Sequence, residues 1–433
     1  MEKETTTKKV WYLRLFMVFA LMGPAIIAGT ANNDAGGIST YAFAGSQFGY
    51  LLLWVLTLNF ITLAFTQEMG IRLGTFTGKG LAALIRERFG VRWTFFALTI
   101  LLIANVAVAV GQFAGIAAAL EIFNISKYFT IPFFSAIIWL VLYKGDFKKV
   151  EKIFLTISLF FLVYIVSAVM AKPDWIEVAR ASITPHISFD PLYFYAMLGV
   201  MGTTITPWGQ FFIQSYVVDK GVDKKHYKFQ KLEAVVASFF ACFIAAMIII
   251  TTKETLYDSG IVVDSAESAA LALVPILGDF AKNIFGIGFL FAALLGAFIL
   301  PLTTSYSICE ALGFEHGMDT DLKDAKVFYG IILFVIIFSA VFVLIPGVPL
   351  FKTMIAAQVL NGILLPIILI FLMILVNSWK RLGLPEMGKF GKIVYNLVGW
   401  EAVIRLSLIS ILLVAFTLFP QLMRGLKDCF SKY

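Results

Sequence analysis

Long apolar segments alternate with short polar loops along this chain. Nearly all of these segments are long enough to cross the hydrocarbon layer of a bilayer as a helix, which takes roughly 20 residues, and the one at 129–143 is short. The pattern therefore predicts an all-α polytopic membrane protein with about eleven transmembrane helices. The predicted spans are 15–45, 50–71, 94–120, 129–143, 153–171, 191–217, 234–252, 283–309, 327–345, 353–377 and 399–420.

The first span is interrupted by small polar residues. Gly23 to Tyr41 reads GPAIIAGTANNDAGGISTY, with Asp34 in the middle. A carboxylate inside a span is costly to keep and usually functional. Glycine and asparagine let the helix unwind, and the freed carbonyls then suit a cation beside the acid. A contact of small residues between helices, with Asp34 neutral, or a loop between two short segments is the alternative.

The sixth span carries a second interruption, in GVMGTTITPWGQFFIQSYV at 199–217. Pro207 has no N–H to donate, so we expect the helix to unwind between Thr203 and Thr206. An ordinary proline kink is the alternative. Two broken helices in corresponding positions predict two inverted five-helix repeats of the LeuT type, with the substrate at the midplane between the breaks.

These features divide the chain into five parts. No soluble domain is expected, because the longest polar connections are too short to hold a core. No cleavable signal is expected either, because the first apolar stretch runs into the break without a cleavage site. The parts are 1–14, an N-terminal segment, 15–172, the first repeat, 190–378, the second repeat, 399–420, the eleventh span, and 421–433, the tail.

Composition and charge support a membrane location. The chain is 60% hydrophobic and 14% charged, too apolar for a soluble globule. Most of the 34 lysines and arginines fall in alternate loops, which predicts a plasma (inner) membrane protein with its amino terminus cytoplasmic and its carboxyl terminus extracellular. The net charge of +7 lies in these short loops, so nucleic acid is not an expected partner. We expect a monomer in the lipid bilayer.

The second span and its loop read QEMGIRLGTFTGKGLAALIRERFG, and the tenth span reads AAQVLNGILLP. These two stretches resemble the NRAMP family of divalent-metal transporters. The first is similar to the RLG, TGK and RER-type sequence of that family, and the second to its Q-V-x-x-x-x-x-L-P element. The likeness runs from about Arg14 to Pro366. It implies the inverted-repeat fold and a divalent-metal cargo.

The departures from the family pattern concern the ion site. The family's D-P-G-N corresponds to Asp34–Gly37, which keeps the acid and loses the asparagine. Its A-x-x-M-P-H-N corresponds to Thr203–Gly209, where methionine becomes Thr206 and histidine becomes Trp208. Its third-span acids and second histidine are also replaced. The residues at those three positions are Ala109, Gln112 and Ile213.

These changes favour a hard, hydrated ion. Methionine sulfur favours transition metals, whereas the donors that remain here are oxygens, which suit Mg²⁺ with several waters. The side chains of Ala109, Gln112, Trp208 and Ile213 cannot titrate near neutral pH. This argues against obligatory proton coupling. The predicted metal-binding residues are Asp34, Gly37, Thr203, Thr206, Gln358 and Ala31, and the predicted pathway residues are Asn33, Trp208, Gly209, Gln112 and Asn105.

The sequence thus predicts a carrier that imports Mg²⁺, with Mn²⁺ as a second cargo, by alternating access, similar to the NRAMP-related magnesium transporters. Two alternatives stay open. One is a proton-coupled Mn²⁺/Fe²⁺ importer, and the other is a sodium-coupled amino-acid carrier with the helix breaks facing its substrate. No catalytic motif lies inside a span, so an enzyme is not expected. No cofactor is expected besides the transported ion.

Overall fold

The computed structural model describes residues 33–144, 162–221, 223–318 and 320–419. Helices and their connections make up these residues, with no β-strand among them, as the all-α prediction requires. In chain order the helices are α1 Ala35–Phe48, α2 Leu53–Thr77, α3 Leu81–Phe89, α4 Val91–Glu121, α5 Lys127–Lys144, α6 Leu162–Met170, α7 Trp175–Ile183, α8 Pro191–Thr204, α9 Pro207–Asp219, α10 Tyr227–Thr252, α11 Ala266–Leu271, α12 Val274–Leu277, α13 Ala281–Leu312, α14 Lys326–Leu344, α15 Leu350–Asn377 and α16 Lys389–Leu418.

Each predicted span contains helix over its described residues. By length and composition, six described segments are able to cross a membrane unbroken. By contrast α1, α8 and α9 have 14, 14 and 13 residues, too few to cross alone. The six segments are Val91–Glu121, Lys224–Tyr257, Gly278–Leu312, Lys326–Leu344, Leu350–Asn377 and Lys389–Leu418.

Several predicted spans are shorter than the helices found there. The second, placed at 50–71, continues to Thr77, and the eleventh, placed at 399–420, begins at Lys389 and ends at Leu418. Hydrophobicity marks only the part of a helix inside the hydrocarbon, and polar residues continue the same helix outside it. Helix α2 stops where Gly78 adopts a left-handed conformation with φ 66°.

The predicted break in the sixth span is present. Helix α8 ends at Thr204, and α9 begins at Pro207. Between them Ile205 and Thr206 are extended, with φ and ψ of −117° and 101°, and −100° and 143°. Proline suits the first position of α9, where its missing N–H costs nothing. The chain therefore crosses this region as two half-helices, which excludes the ordinary proline kink.

The first break is described on one side only. Asp34 is extended, with φ −64° and ψ −179°, and it caps α1. Residues 1–32 lie outside the described part of the chain, so the predicted helix before the break stays a prediction, as do the N-terminal segment 1–14 and the tail 421–433. The boundaries of the two repeats, 15–172 and 190–378, also stay predictions.

The broken helices lie at the centre of the helix packing. Helix α1 packs against α8, α10 and α15, while α2 packs on α10 and α4 packs on α13 and α15. Tyr41 Oη and Thr204 Oγ1 are 3.0 Å apart and join α1 to α8. A Cβ at Gly202 would lie 2.1 Å from the Gln358 carbonyl. Glycine thus lets α8 and α15 touch at the break.

Candidate metal site

Asp34 places a carboxylate in the protein interior at the start of α1, with 4% of the residue exposed. Its Oδ1 accepts a hydrogen bond from the Gly37 N–H at 2.7 Å. A carboxylate in this position pairs an otherwise unpaired helix N–H and is stabilised by the partial positive charge of the helix end. The local sequence Asp-Ala-Gly-Gly therefore holds the acid inside the membrane region.

Two glutamines from distant helices donate to the same carboxylate. Gln112 of α4 donates from Nε2 to Oδ2 at 2.6 Å, and Gln358 of α15 donates from Nε2 to Oδ1 at 3.3 Å. The Oε1 atom of each glutamine is buried and has no hydrogen-bond partner within the described residues. Each side chain thus keeps an acceptor oxygen close to Asp34.

Glycines make the room for these two side chains. A Cβ at Gly36 would lie 2.2 Å from Gln358 Nε2, and a Cβ at Gly296 of α13 would lie 2.6 Å from the Gln112 side chain. Neither approach is possible for a real side chain. The two glycines therefore allow both amides to reach Asp34.

The second break carries the hydroxyl groups of Thr203 and Thr206. Thr206 is buried, and its Oγ1 accepts a hydrogen bond from the Gly209 N–H at 3.1 Å. A hydroxyl oxygen has two lone pairs, so one remains for a cation. The Thr203 hydroxyl is buried without a partner in the described ranges. Its carbonyl is among the last of α8, which a helix leaves unpaired internally.

Asn33, Trp208 and Asn105, three of the predicted pathway residues, each contact a different part of the structure. Asn33 Nδ2 donates to the Ala241 carbonyl of α10 at 3.4 Å. Trp208 is buried and packs against Phe212. Asn105 donates to Thr304 Oγ1 of α13 at 2.8 Å, which makes it a contact between neighbouring helices.

Three of the predicted residues need separate comment. The backbone N–H groups of Gly37 and Gly209 donate hydrogen bonds to Asp34 and Thr206. The group that the structure shows at each of these two positions is therefore a hydrogen-bond donor. Ala31 lies outside the described residues. The choice of all these residues as ligands or pathway residues stays a prediction.

The arrangement offers one negative charge and a set of neutral oxygens. Within the described ranges no group of three or more histidine, cysteine, aspartate or glutamate side chains is placed to hold a metal. A single carboxylate with amide, hydroxyl and carbonyl oxygens is typical of a site where a hard divalent cation keeps part of its water.

Sequence reasoning missed four polar residues near the breaks. Asn361 donates to the Gly202 carbonyl at 3.0 Å. Gln67 of α2 comes within 3.9 Å of the place where a Gly209 Cβ would stand. Gln210 and Gln214 are completely buried on α9. Polar residues inside apolar spans are a recognisable signal, and the repeat of glutamine four residues apart in PWGQFFIQ was available in the sequence.

Comparison with known proteins gives a family match over most of the chain. The model described as natural resistance-associated macrophage protein-like, Nramp, matches residues 25–416. A divalent metal cation transporter MntH of Caldanaerobacter subterraneus is 27% identical over 369 residues, which is 83% of this chain and 85% of the relative. The protein of the same name from Yersinia enterocolitica is 30% identical over 284 residues, 64% of this chain and 69% of the relative.

Solved structures agree on the fold. The manganese transporter of Eremococcus coleocola superposes with a TM-score of 0.73 at 20% identity, covering 95% of this chain and 91% of that one. Mhp1, a nucleobase-cation-symport-1 family transporter, gives a TM-score of 0.56 at 14% identity, covering 94% and 95%. At these identities the likeness concerns the fold alone, a helical transporter architecture with two broken helices in the centre.

Proposed function

The chain belongs to the Nramp family of divalent-metal transporters, and from that premise we propose that it imports Mg²⁺, with Mn²⁺ as a second cargo, without obligatory proton coupling. Membership in the family makes it a multi-pass membrane transporter of divalent cations. The proposal concerns the choice of ion and the source of energy.

One observation carries the choice of Mg²⁺. The carboxylate of Asp34 accepts hydrogen bonds from the amides of Gln112 and Gln358, and we propose that the buried threonines of the second break complete the site. Where the family pattern has a methionine sulfur, this chain has Thr206. Without a soft ligand the site loses its means of preferring Mn²⁺ or Fe²⁺ over the more abundant hard cation.

The residue types at three positions of the family pattern support transport without a proton. Gln112, Trp208 and Ile213 replace acids or histidines of the family pattern and are all buried. The three histidines of the chain, His186, His226 and His316, lie outside α1 to α16. A doubly charged ion gains about 4.6 kcal/mol per 100 mV on entering a negative interior, so uptake needs no second ion.

A second candidate is a proton-coupled Mn²⁺/Fe²⁺ importer. The names of the relatives and of the solved manganese transporter favour it over our main proposal. Against it stand the missing sulfur ligand and the missing acids and histidines described above. The sodium-coupled amino-acid carrier has no such support, because the family match indicates a metal cargo.

Vesicles containing the purified protein, a Mg²⁺ dye and a pH dye separate the two candidates. We expect Mg²⁺ to enter when the interior is negative, with no acidification beyond that of empty vesicles. Entry of Mn²⁺ together with acidification, and no entry of Mg²⁺, would establish the second candidate. Vesicles clamped at zero potential are the control, since the electrical driving force is then removed.

Thr206→Met is expected to shift the preference toward softer ions. The thioether supplies a soft ligand, and a change in the Mn²⁺ to Mg²⁺ uptake ratio of about tenfold corresponds to about 1.4 kcal/mol. Thr206→Ala is the matched control, because both variants lose the bond to Gly209, at a cost of about 1 kcal/mol, and only one adds sulfur. Equal Mn²⁺ to Mg²⁺ uptake ratios in the two variants would show that the ion does not bind at Thr206.

Location and assembly are part of the same proposal. The distribution of lysine and arginine between alternate loops supports a plasma (inner) membrane protein with a cytoplasmic amino terminus and an extracellular carboxyl terminus. We also propose that one copy of the chain suffices for transport, because Gln112 and Gln358 of one chain can both reach its Asp34.

A further inference from the structure

Helix α9 carries a row of polar side chains that begins at the proposed ion site. Thr206, Gln210 and Gln214 follow one another at intervals of four residues, a spacing that places them on one face of a helix at successive turns. All three are buried, with 4%, 0% and 0% exposed. The row therefore leads from the break between α8 and α9 toward the far end of α9.

The amides in this row lack hydrogen-bond partners. Both Oε1 and Nε2 of Gln210 are buried without a partner among the described residues, as is Oε1 of Gln214. A buried amide that forms no hydrogen bond is destabilising, and such groups in native proteins usually have a functional reason or a missing water or ion. Helix packing alone would be better served by an apolar side chain at Gln210.

Helix α2 faces α9 closely along this row. A Cβ at Gly70 would lie 2.7 Å from the Ile213 side chain, and a Cβ at Gly74 would lie 2.9 Å from the Gln214 carbonyl. The Gln67 amide lies beside Gly209, one turn above. The backbones of α2 and α9 thus lie close together along the row, and Gly74 leaves room for the Gln214 side chain.

The loop after α2 closes the far end of the row. Gln214 Nε2 donates to the Lys79 carbonyl at 2.8 Å. Glu310 of α13 accepts hydrogen bonds from the Gly80 N–H at 2.6 Å and from Ser215 Oγ at 3.0 Å. The loop belongs to the side predicted to be cytoplasmic.

We propose that Gln210 and Gln214 form a second, transient binding site for the transported divalent cation, on its way from Asp34 to the side of the 78–80 loop. Their carbonyl oxygens are ligands that a hard cation accepts, with water completing its coordination. The absence of a charge on either amide makes the binding weak, which allows the ion to leave. This inference rests on the proposed function, because it takes the ion held at Asp34 as its cargo.

The first test compares Gln210→Leu with the wild type in reconstituted vesicles. We expect the maximal rate of Mg²⁺ uptake to fall about tenfold, the lower end of the effect of losing a partner of a metal site. The dissociation constant for Mg²⁺, measured by calorimetry, should stay at the wild-type value because Asp34 is unchanged. The melting temperature should be equal or higher, since an unpartnered amide is removed.

Ser238→Ala is the matched control, because Ser238 is a buried polar residue of α10 that bonds only within its own helix, to the Ala234 carbonyl. It should transport at the wild-type rate. Uptake at the wild-type rate by Gln210→Leu, or a loss of uptake matched by a lower melting temperature, would overturn the second site.

The second test adds a charge to the same position. In Gln210→Glu the site keeps its oxygens and gains a carboxylate, so the weak site should become a strong one. Titration with Mn²⁺ as the probe, followed by electron paramagnetic resonance, should give one tightly bound ion in the wild type and two in the variant. A single ion in both proteins would contradict the inference. Failure of wild-type Mg²⁺ uptake would instead refute the proposed function.

Discussion

Replacing Asp34 by alanine is expected to abolish Mg²⁺ uptake. Among the described side chains that hydrogen-bond to one another at the site, Asp34 provides the only negative charge, and the amides of Gln112 and Gln358 converge on it. Loss of an outer partner of a metal lowers affinity by about 10 to 100-fold, so loss of the one charged ligand should cost more than about 100-fold. Calorimetry and vesicle uptake measure both effects.

Two further variants distinguish an effect on transport from an effect on folding. Asp34→Asn keeps the shape of the side chain and removes its charge, so it should also lose uptake while melting close to the wild type. Glu267→Ala removes an exposed acid that pairs with Lys282 at 2.5 Å, and it should transport normally because surface ion pairs contribute little. Uptake by Asp34→Ala at even a tenth of the wild-type rate would place the ion elsewhere.

Gln112→Glu is expected to make ion binding depend on pH. Gln112 Nε2 lies 2.6 Å from Asp34 Oδ2, so the variant puts two carboxylates in contact inside the protein. Like charges so close do not both ionise, and the pair holds a shared proton. A divalent cation displaces that proton, so the apparent affinity should fall by up to about tenfold for each pH unit below the range where the pair titrates.

Measurement of the Mg²⁺ dissociation constant between pH 5 and pH 8 checks this expectation, together with the pH dye in vesicles. The profile of Gln112→Glu should be steeper than that of the wild type, because the variant adds a second carboxylate where the wild type has a neutral amide. Gln112→Leu is the control, since it removes the amide without adding an acid. It should bind Mg²⁺ more weakly than the wild type but with no new pH dependence. Identical pH profiles for Gln112→Glu and Gln112→Leu would show that position 112 does not exchange protons with Asp34.

Both predictions depend on contacts between helices that are far apart in the chain. Gln112 comes from the middle of α4 and Gln358 from α15, yet both amides bind one carboxylate at the start of α1. Residue type and position in the sequence identify each as a candidate. They do not tell whether its side chain turns toward Asp34, as Gln112 does, or toward a neighbouring helix, as Asn105 does toward Thr304.

The amino-acid sequence by itself determined the class of protein, the positions of the helices and the two candidate breaks. These are local properties, since apolar length indicates a span, Pro207 starts a new helix and Asp34 caps one. The family followed from motifs in the second and tenth spans, and the family model confirms it.

Only the tertiary structure decided which polar groups meet. The rotation of each helix about its own axis is set by packing against its neighbours. That rotation brings Gln112 to Asp34 and leaves the amide of Gln210 buried without a partner in the described residues. Neither result can be predicted from the sequence. Each depends on contacts between helices that are distant in the chain, and the local sequence pattern does not show which helices pack together.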